Sequence, residues 1–142
     1  TITEVIAFGN IVPTGLQIRG NTVYMAEAGA TPHLPADGKI VSFQPGSSSV
    51  TQVASGGRLL VDVEFGPRHD LFALAQGEFT PGDPPGSPAN PNTGELLRVD
   101  GQGGFDVVSE GLNQPTSLEF IGKTAYVVTL GGEIWKIDDV TS

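Results

Sequence analysis

Apolar residues, many of them β-branched, recur in short runs along most of the chain, as in 23–26, 60–65 and 115–120. Short apolar runs bounded by turn residues are typical of β-strands, and no segment carries the 3.6-residue period of a helix. Glycine, proline, aspartate and serine separate the runs, and these residues favour tight turns. The pattern therefore predicts an all-β fold built from short strands.

The strands form a repeat of about fifty residues that occurs three times. Its first strand starts at Pro13, Leu60 and Pro115, and each copy continues through a second strand into a third strand led by glycine. The first two copies then have a fourth strand, at 50–55 and 105–109. Four strands in this length are typical of a β-propeller blade. A plain β-sandwich is the alternative, but it does not explain why the same order recurs in register.

The repeats divide the chain into three blades within one domain, residues 1–142. The blade boundaries are 11–56, 57–111 and 112–142, and the last blade lacks a fourth strand at its end. Residues 1–9 have the fourth-strand pattern, so we expect them to complete the third blade by pairing with 132–137. Three blades are half of a six-bladed propeller, since propellers have four to eight.

Two arrangements would close such a ring. Either the remaining blades belong to a longer chain, or two copies combine, with the N-terminal strand of each completing the last blade of its neighbour. Repeated exchange without closure would give a fibre. Pairing between chains is the favoured form, and the assembly residues that it predicts are Val5, Ile6 and Trp135.

Charge excludes some partners. The chain has 16 acidic and 7 basic residues, with a net charge of −9, and the basic residues are scattered singly. Nucleic acids require clustered Lys and Arg, so they are not expected as partners. No apolar run approaches the roughly 20 residues that span a bilayer. The chain has no cysteine and starts at Thr1. We expect a processed or trimmed piece of a longer, exported protein, located outside the cell or in the cell envelope.

Several stretches resemble the ScyD/ScyE-like propeller proteins, within the wider group of NHL-type and six-bladed TolB-like propellers. They are residues 13–29, 60–66, 92–99 and 115–120. The resemblance covers nearly the whole chain and corresponds to the later half of such a protein. It implies a propeller fold and export. It implies no single activity, because propeller relatives include lactonases, lyases and sugar dehydrogenases as well as binding proteins.

The loop between the second and third strands varies most between repeats and is the expected binding region, since function on β scaffolds concentrates in loops. In the second repeat this loop, 77–93, contains five prolines. It is interpreted as a binding loop, as a polyproline ligand for a partner, or as a tolerated surface insertion. Replacing 80–90 with a short turn is expected to leave the fold intact. The binding candidates are Glu27, His33, Asp37, Gln76, Glu78, Asp83 and Asn90.

Acidic residues on the first strands would line the channel of a propeller. These are Asp62, Glu64 and Glu119, and their oxygens suit calcium, although the spacing matches neither an EF-hand loop nor an RTX repeat. His33 and His69 are predicted at opposite hairpin ends, so they are not expected to share a metal. The sequence contains no nucleophile elbow, zinc-protease helix or phosphate loop.

The sequence therefore favours an exported, non-enzymatic propeller module that acts as a self-assembling structural or binding scaffold. The alternative is a fragment of a propeller enzyme, of hydrolase or lyase type, with a site in the channel and calcium as its candidate metal. No other cofactor is predicted.

Overall fold

The computed structural model describes residues 1–141, which form eleven strands and two short 3-10 helices. Within these residues the strands make three antiparallel sheets. The first sheet has β1 (Pro13–Arg19), β2 (Thr22–Glu27), β3 (Lys39–Phe43) and β4 (Val50–Ser55). The second has β5 (Leu60–Phe65), β6 (Leu71–Ala75), β7 (Gly94–Val99) and β8 (Phe105–Leu112). The third has β9 (Pro115–Ile121), β10 (Thr124–Thr129) and β11 (Ile134–Ile137). The all-β prediction is confirmed.

The strands of each sheet pair in sequence order, and the 3-10 helices Pro35–Asp37 and Pro67–His69 lie in connections between strands. Equivalent positions pair alike: Leu16 is opposite Met25, Val63 is opposite Ala73, and Leu118 is opposite Val127. Each sheet therefore presents two corresponding faces, because successive residues of a strand point to opposite sides. We call the face with Leu16, Val63 or Leu118 the front face, and the face with Tyr24, Phe72 or Tyr126 the back face.

The core lies between these faces. The back face of the first sheet, with Ala26 and Ile40, packs against the front face of the second, with Val63 and Leu97. The back face of the second sheet repeats this contact on the front face of the third. That cluster contains Phe72, Leu74, Leu96, Leu118, Ala125 and Val127. The second sheet is thus covered on both sides, and all five residues of β6 are buried.

The expected fourth strand of the third sheet is absent within one chain. Residues 1–8 form no strand, and the third sheet ends at β11 on its outer side. Ile6 and Phe8 instead pack on the front face of the first sheet, against a cluster that includes Met25 and Phe43. Nine extended residues span about 30 Å. They cannot both cross two sheets, each about 10 Å thick, and run along the third. Pairing within one chain is therefore wrong, whereas pairing between chains stays a prediction.

The proline-rich loop packs on the sheets at Phe79 and Ala89, which argues against its interpretation as a dispensable insertion; that replacing 80–90 leaves the fold intact stays a prediction. Phe79 and Ala89 are buried in a cluster with Ala28 and Leu59. Two glutamine side chains hold the loop at Ala89. Gln76 Oε1 accepts a bond from the Ala89 N–H at 2.9 Å, and Gln114 Nε2 donates to the Ala89 carbonyl at 2.8 Å. Replacing 80–90 would remove Ala89 and leave Gln76 without its partner.

We expect Phe79→Ala to destabilise the protein by about 3 kcal/mol, because it empties a buried aromatic site beneath the loop. Urea unfolding followed by circular dichroism measures the change. Asp83→Ala, at the exposed tip of the same loop, is the matched control and should change stability by less than about 0.5 kcal/mol. Equal effects of the two substitutions would contradict the packed loop.

Candidate functional site

The first strands of the three sheets lie side by side, because β1 contacts β5 and β5 contacts β9. Corresponding back-face positions therefore form two rows across the sheets. One row contains Gly15, Asp62 and Ser117, and the other contains Gln17, Glu64 and Glu119. The three carboxylates predicted for a common site are thus brought together along this inner surface.

Asp62 joins the second and third sheets. Its Oδ2 accepts a hydrogen bond from the Leu118 N–H at 2.8 Å, and its Oδ1 accepts one from the Val63 N–H at 2.9 Å. Burial raises the pKa of Asp62, and these two backbone hydrogen bonds oppose the rise. On the other side, a Cβ at Gly15 would lie 3.1 Å from Asp62 Oδ1, so glycine leaves room for the carboxylate. Asp62 is therefore a structural bridge between the sheets.

Glu64 is the carboxylate with the most perturbed titration. Burial is the main cause that raises its pKa to about 7, and the nearby Glu119 and Asp62 add to the rise. Gln17 of the first sheet opposes it, because its Nε2 donates to Glu64 Oε2 at 2.9 Å. A carboxyl group with this pKa can take up and release a proton near neutral pH.

The ligand geometry does not support calcium binding by Asp62, Glu64 and Glu119. Within residues 1–141, no three His, Cys, Asp or Glu side chains are grouped as a metal site. Two of the Asp62 lone pairs are already used by backbone N–H groups. Calcium binding stays a prediction without structural support.

A cleft of about 510 Å³ lies at the end of the sheets that carries the long loops. It is lined by both long loops, by Thr14 and Leu59 at the first strands, and by Leu130 of the third repeat. Two of the predicted loop residues, His33 and Gln76, reach it. The Nδ1 atom of His33 is 2.7 Å from the Gly29 carbonyl oxygen, and its ring meets Phe79 edge-on at 4.9 Å. The His33 ring is thereby fixed by the loops themselves.

The other loop candidates lie outside this cleft. Glu78 is exposed and pairs with Arg58 at 3.4 Å, and Asp83 is exposed at the loop tip. The Asn90 side chain accepts a hydrogen bond from Thr80 Oγ1 at 2.9 Å, which closes the loop. Glu78 and Asn90 therefore hold the loop, and the structure does not gather these three residues into one site.

Glu27 and Asp37 line a separate cavity of about 190 Å³, together with Lys39. Glu27 pairs with Lys39 across β2 and β3 and is buried. Burial raises the pKa of Glu27, and the positive charge of Lys39 opposes this rise. His69 follows β5 at the end of the hairpin opposite the long loops, so the structure places the two histidines apart, as predicted.

The predicted assembly residues remain apart within one chain. Trp135 lies on the front face of β11 and is 53% exposed, beside a groove of about 320 Å³ that Asn113 and Leu112 also line. Val5 is exposed, and Ile6 is half-buried on the first sheet. Both the β11 edge and residues 1–8 therefore lack a strand neighbour in the described chain.

Sequence reasoning missed the polar contacts made by β1. Thr14 Oγ1 donates to the Leu60 carbonyl at 2.9 Å, and the Arg19 guanidinium lies 3.9 Å from the centre of the Phe65 ring. Gln17 belongs to the same group through its bond to Glu64. The repeat could have revealed the role of Gln17, because Gln17 occupies the position in the first sheet that Glu64 and Glu119 occupy in the other two.

Comparison with known proteins supports the fold alone. No family model matches the chain, and no curated protein sequence matches it. The computationally designed Ika4 protein is similar in structure, with a TM-score of 0.58, 14% identity, and coverage of 99% of this chain and 76% of that chain. The computationally designed Ika8 protein has a TM-score of 0.55, 15% identity, and coverage of 91% of this chain and 34% of that chain.

The chain thus spans about a third of the length of Ika8. The resemblance to ScyD/ScyE-like proteins stays a prediction. None of the helices in the described part of the chain has the length and apolar character needed to cross a membrane.

We expect Glu64 to make stability fall as pH rises from about 4.5 to about 7. Its pKa is higher in the folded than in the unfolded state, so the folded state binds more protons in this window. The loss should be about 1 to 2 kcal/mol after allowance for solvent around the half-buried carboxyl. Urea unfolding at a series of pH values measures it.

Glu64→Gln should remove this part of the pH dependence, whereas Glu110→Gln, on the exposed outer strand of the second sheet, should leave it intact. A wild-type slope that survives Glu64→Gln would show that another group is responsible.

Proposed function

We propose that the three sheets are three blades of a β-propeller and that the chain is a scaffold module which assembles with a second copy of itself. The observation that carries the proposal is the exposure of one apolar face at each end of the row of sheets. Inside the chain, the back face of one sheet packs twice on the front face of the next. The two exposed faces at the ends are one such back face and one such front face.

The back face of the third sheet is the first open half. Ile134 occupies the position of Ile40 and Leu96 in the other sheets, because each pairs with the corresponding residue of the second strand. Ile40 and Leu96 are 0% exposed, whereas Ile134 is 75% exposed. Ile121 is also exposed, and Tyr126 and Val128 are half-buried on this face. An apolar strip of this kind is suited to burial against another sheet.

The front face of the first sheet is the second open half along β1, whereas Ile6 and Phe8 cover its β2 and β3 side chains. Leu16 and Ile18 are 57% and 64% exposed, whereas Val63, at the position of Leu16, is 0% exposed. The back face of the third sheet can therefore dock on the first sheet of another copy, as the first and second sheets dock inside one chain. Such a head-to-tail contact gives a closed ring when the rotation closes.

Polar groups in the row of Gln17, Glu64 and Glu119 are compatible with this docking. Inside the chain, Gln17 donates to Glu64 at the corresponding position of the next sheet. In the assembly, the same position on the open side of the third sheet is Glu119, which would meet Gln17 of the second copy. A carboxylate would then face an amide donor and not another carboxylate, so docking brings no new like-charge contact to this row.

A structural or binding role in an exported setting is the simplest function for such a module. The cleft at the loop end provides a surface for a ligand, and the acidic, cysteine-free composition suits the outside of the cell. The remaining blades of a longer chain are the competing partner for the two open faces, and solution mass distinguishes the two.

A propeller enzyme with a channel site is the second candidate, and one observation favours it. Glu64, with a pKa of about 7, lies beside Asp62 and Glu119 on the inner strands, where a general acid or base would act. Asp62 is occupied as a bridge between sheets, so Glu64 is the residue to test. Hydrolysis of a lactone or ester that is abolished by Glu64→Gln would support this candidate.

Sedimentation of the 142-residue chain in 0.15 M salt tests the assembly. We expect a species of twice the 14.7 kDa chain mass. Ile134→Lys should raise the dissociation constant at least about 100-fold, because each docked face would bury a lysine in place of an isoleucine. Val107→Lys changes an exposed valine of the second sheet, outside both open faces, and should leave the mass unchanged.

A larger head-to-tail polymer that Ile134→Lys dissolves would also support the docking. A monomer of 14.7 kDa at millimolar concentration would refute it.

A further inference from the structure

We infer that residues 1–8 form the fourth strand of the third sheet of a second copy, pairing with its β11 edge. The inference rests on the proposed self-assembly and adds the backbone contact by which the two copies would be joined. It is carried by four correspondences between residues 1–12 and the segments that precede the second and third sheets.

The linker before each sheet has the same backbone conformation. Val12, Leu59 and Gln114 directly precede or adjoin the first strands and have φ angles of 53°, 53° and 50°. Non-glycine residues rarely adopt positive φ, and a β-branched residue such as Val12 does so least readily. The carbonyls of these residues also accept the same hydrogen bond, from the N–H groups of Ala28, Gln76 and Leu130.

The chain before each linker packs in the same place. In the second and third repeats the linker follows a fourth strand, and Val53 of β4 and Val108 of β8 pack on the front face of the next sheet. Ile6 occupies the corresponding place before the first sheet and packs on its front face. Residues 1–8 are therefore held where a fourth strand of a preceding sheet would lie.

The strand that such a segment would join is missing within one chain. No sheet precedes the first one in the described residues, whereas the third sheet has an unpaired edge at β11. When the third sheet of a second copy docks on the first sheet, its β11 comes beside residues 1–8. Addition of an extended segment to a free edge is an established way for chains to bind.

The register copied from the other sheets gives complementary pairs. Arg98 is opposite Asp106 and forms an ion pair at 3.5 Å, and Ser42 is opposite Thr51. The corresponding pair is Lys136 of β11 opposite Glu4, which again joins opposite charges. Lys136 also forms an exposed ion pair with Asp138 of its own chain at 3.1 Å. Opposite charges across strands stabilise the pairing, and like charges weaken it.

In the same register, a large side chain of the third strand lies opposite a small one of the fourth strand. Ile40 is opposite Ala54, and Leu96 is opposite Ser109. The corresponding pair is Ile134 opposite Ala7, so a small residue again faces the large aliphatic one. A shift by one residue would reverse the faces of the strand and lose both matches.

Cross-linking tests the register directly, because the protein has no cysteine. One chain carries Glu4→Cys, and a differently tagged chain carries Lys136→Cys, both at exposed positions. Opposed strand residues have Cα atoms about 4.5–5.5 Å apart, within the range of a disulfide. After mixing in equal amounts and mild oxidation, we expect a disulfide-linked dimer of the two tagged chains in about half of the protein, the share of mixed dimers that random exchange gives.

The matched control replaces Glu4→Cys with Thr51→Cys, the corresponding and equally exposed position in the first sheet, and should give less than one tenth of that yield. A mass of twice the chain together with equal yields from both mixtures would overturn the strand inference while leaving the self-assembly intact. A monomeric mass for the unsubstituted chain would overturn both.

A charge reversal gives a second, reversible readout. Glu4→Lys and Lys136→Glu each place like charges at both joints of a symmetric dimer, so each variant alone should dissociate several-fold more readily than the wild type. A mixture of the two variants restores opposite charges at both joints and should form a mixed dimer of wild-type affinity. Failure of the mixture to recover would contradict the pairing of Glu4 with Lys136.

Discussion

Each sheet of this protein is apolar on both faces, and a sheet of this kind is stable only when both faces are covered. The second sheet meets this condition inside the chain, with Val63 and Leu97 buried on its front face and Phe72 and Leu96 on its back face. Fully burying one such side chain contributes about 1.5–3 kcal/mol. The third sheet is covered on its front face only, and the front face of the first sheet is covered only in part, by Ile6 and Phe8. The chain's remaining uncovered area therefore follows from the same constraint that builds its core.

The two rows on the first strands, one with Asp62 and one with Glu64, show how polar groups fit between such closely packed faces. Asp62 satisfies backbone N–H groups of two sheets, and Gly15 leaves space beside it. Burial is the main cause that raises the pKa of Glu64, and two nearby carboxylates add to the rise. The hydrogen bond from Gln17 lowers the pKa of Glu64 in part. At the other end of this row, no further sheet lies beyond Glu119 of the third sheet within the described chain. The two rows therefore combine a structural bridge with a group that titrates near neutral pH.

The repeated parts of the fold could be predicted from the sequence, because each strand is a short apolar run bounded by turn residues such as glycine or aspartate. All eleven strands correspond to strands expected from the repeat. The carboxylate row also followed, since equivalent positions on first strands must meet when the sheets stack. Phe79 and Ala89 escaped prediction because they lie in a proline-rich loop with no period to mark them as core.

The N-terminal segment was harder, because a strand is defined by its partner. Its pattern indicated a fourth strand, yet one chain offers it no edge within reach, so Ile6 and Phe8 pack on the first sheet without pairing. Among the loop candidates, only a three-dimensional structure could show that Glu78 pairs with Arg58 while His33 and Gln76 reach the cleft.

Hydrogen exchange measured residue by residue across a range of protein concentrations tests the central claim most directly. In the proposed assembly, the two exposed apolar surfaces and the two unpaired edges belong to one joint between copies. Amides of residues 3–8 and of β11 should therefore become protected together, over the same concentration range, while amides of β6 are protected throughout. Fast exchange in both segments at every concentration, or protection of one without the other, would contradict the account.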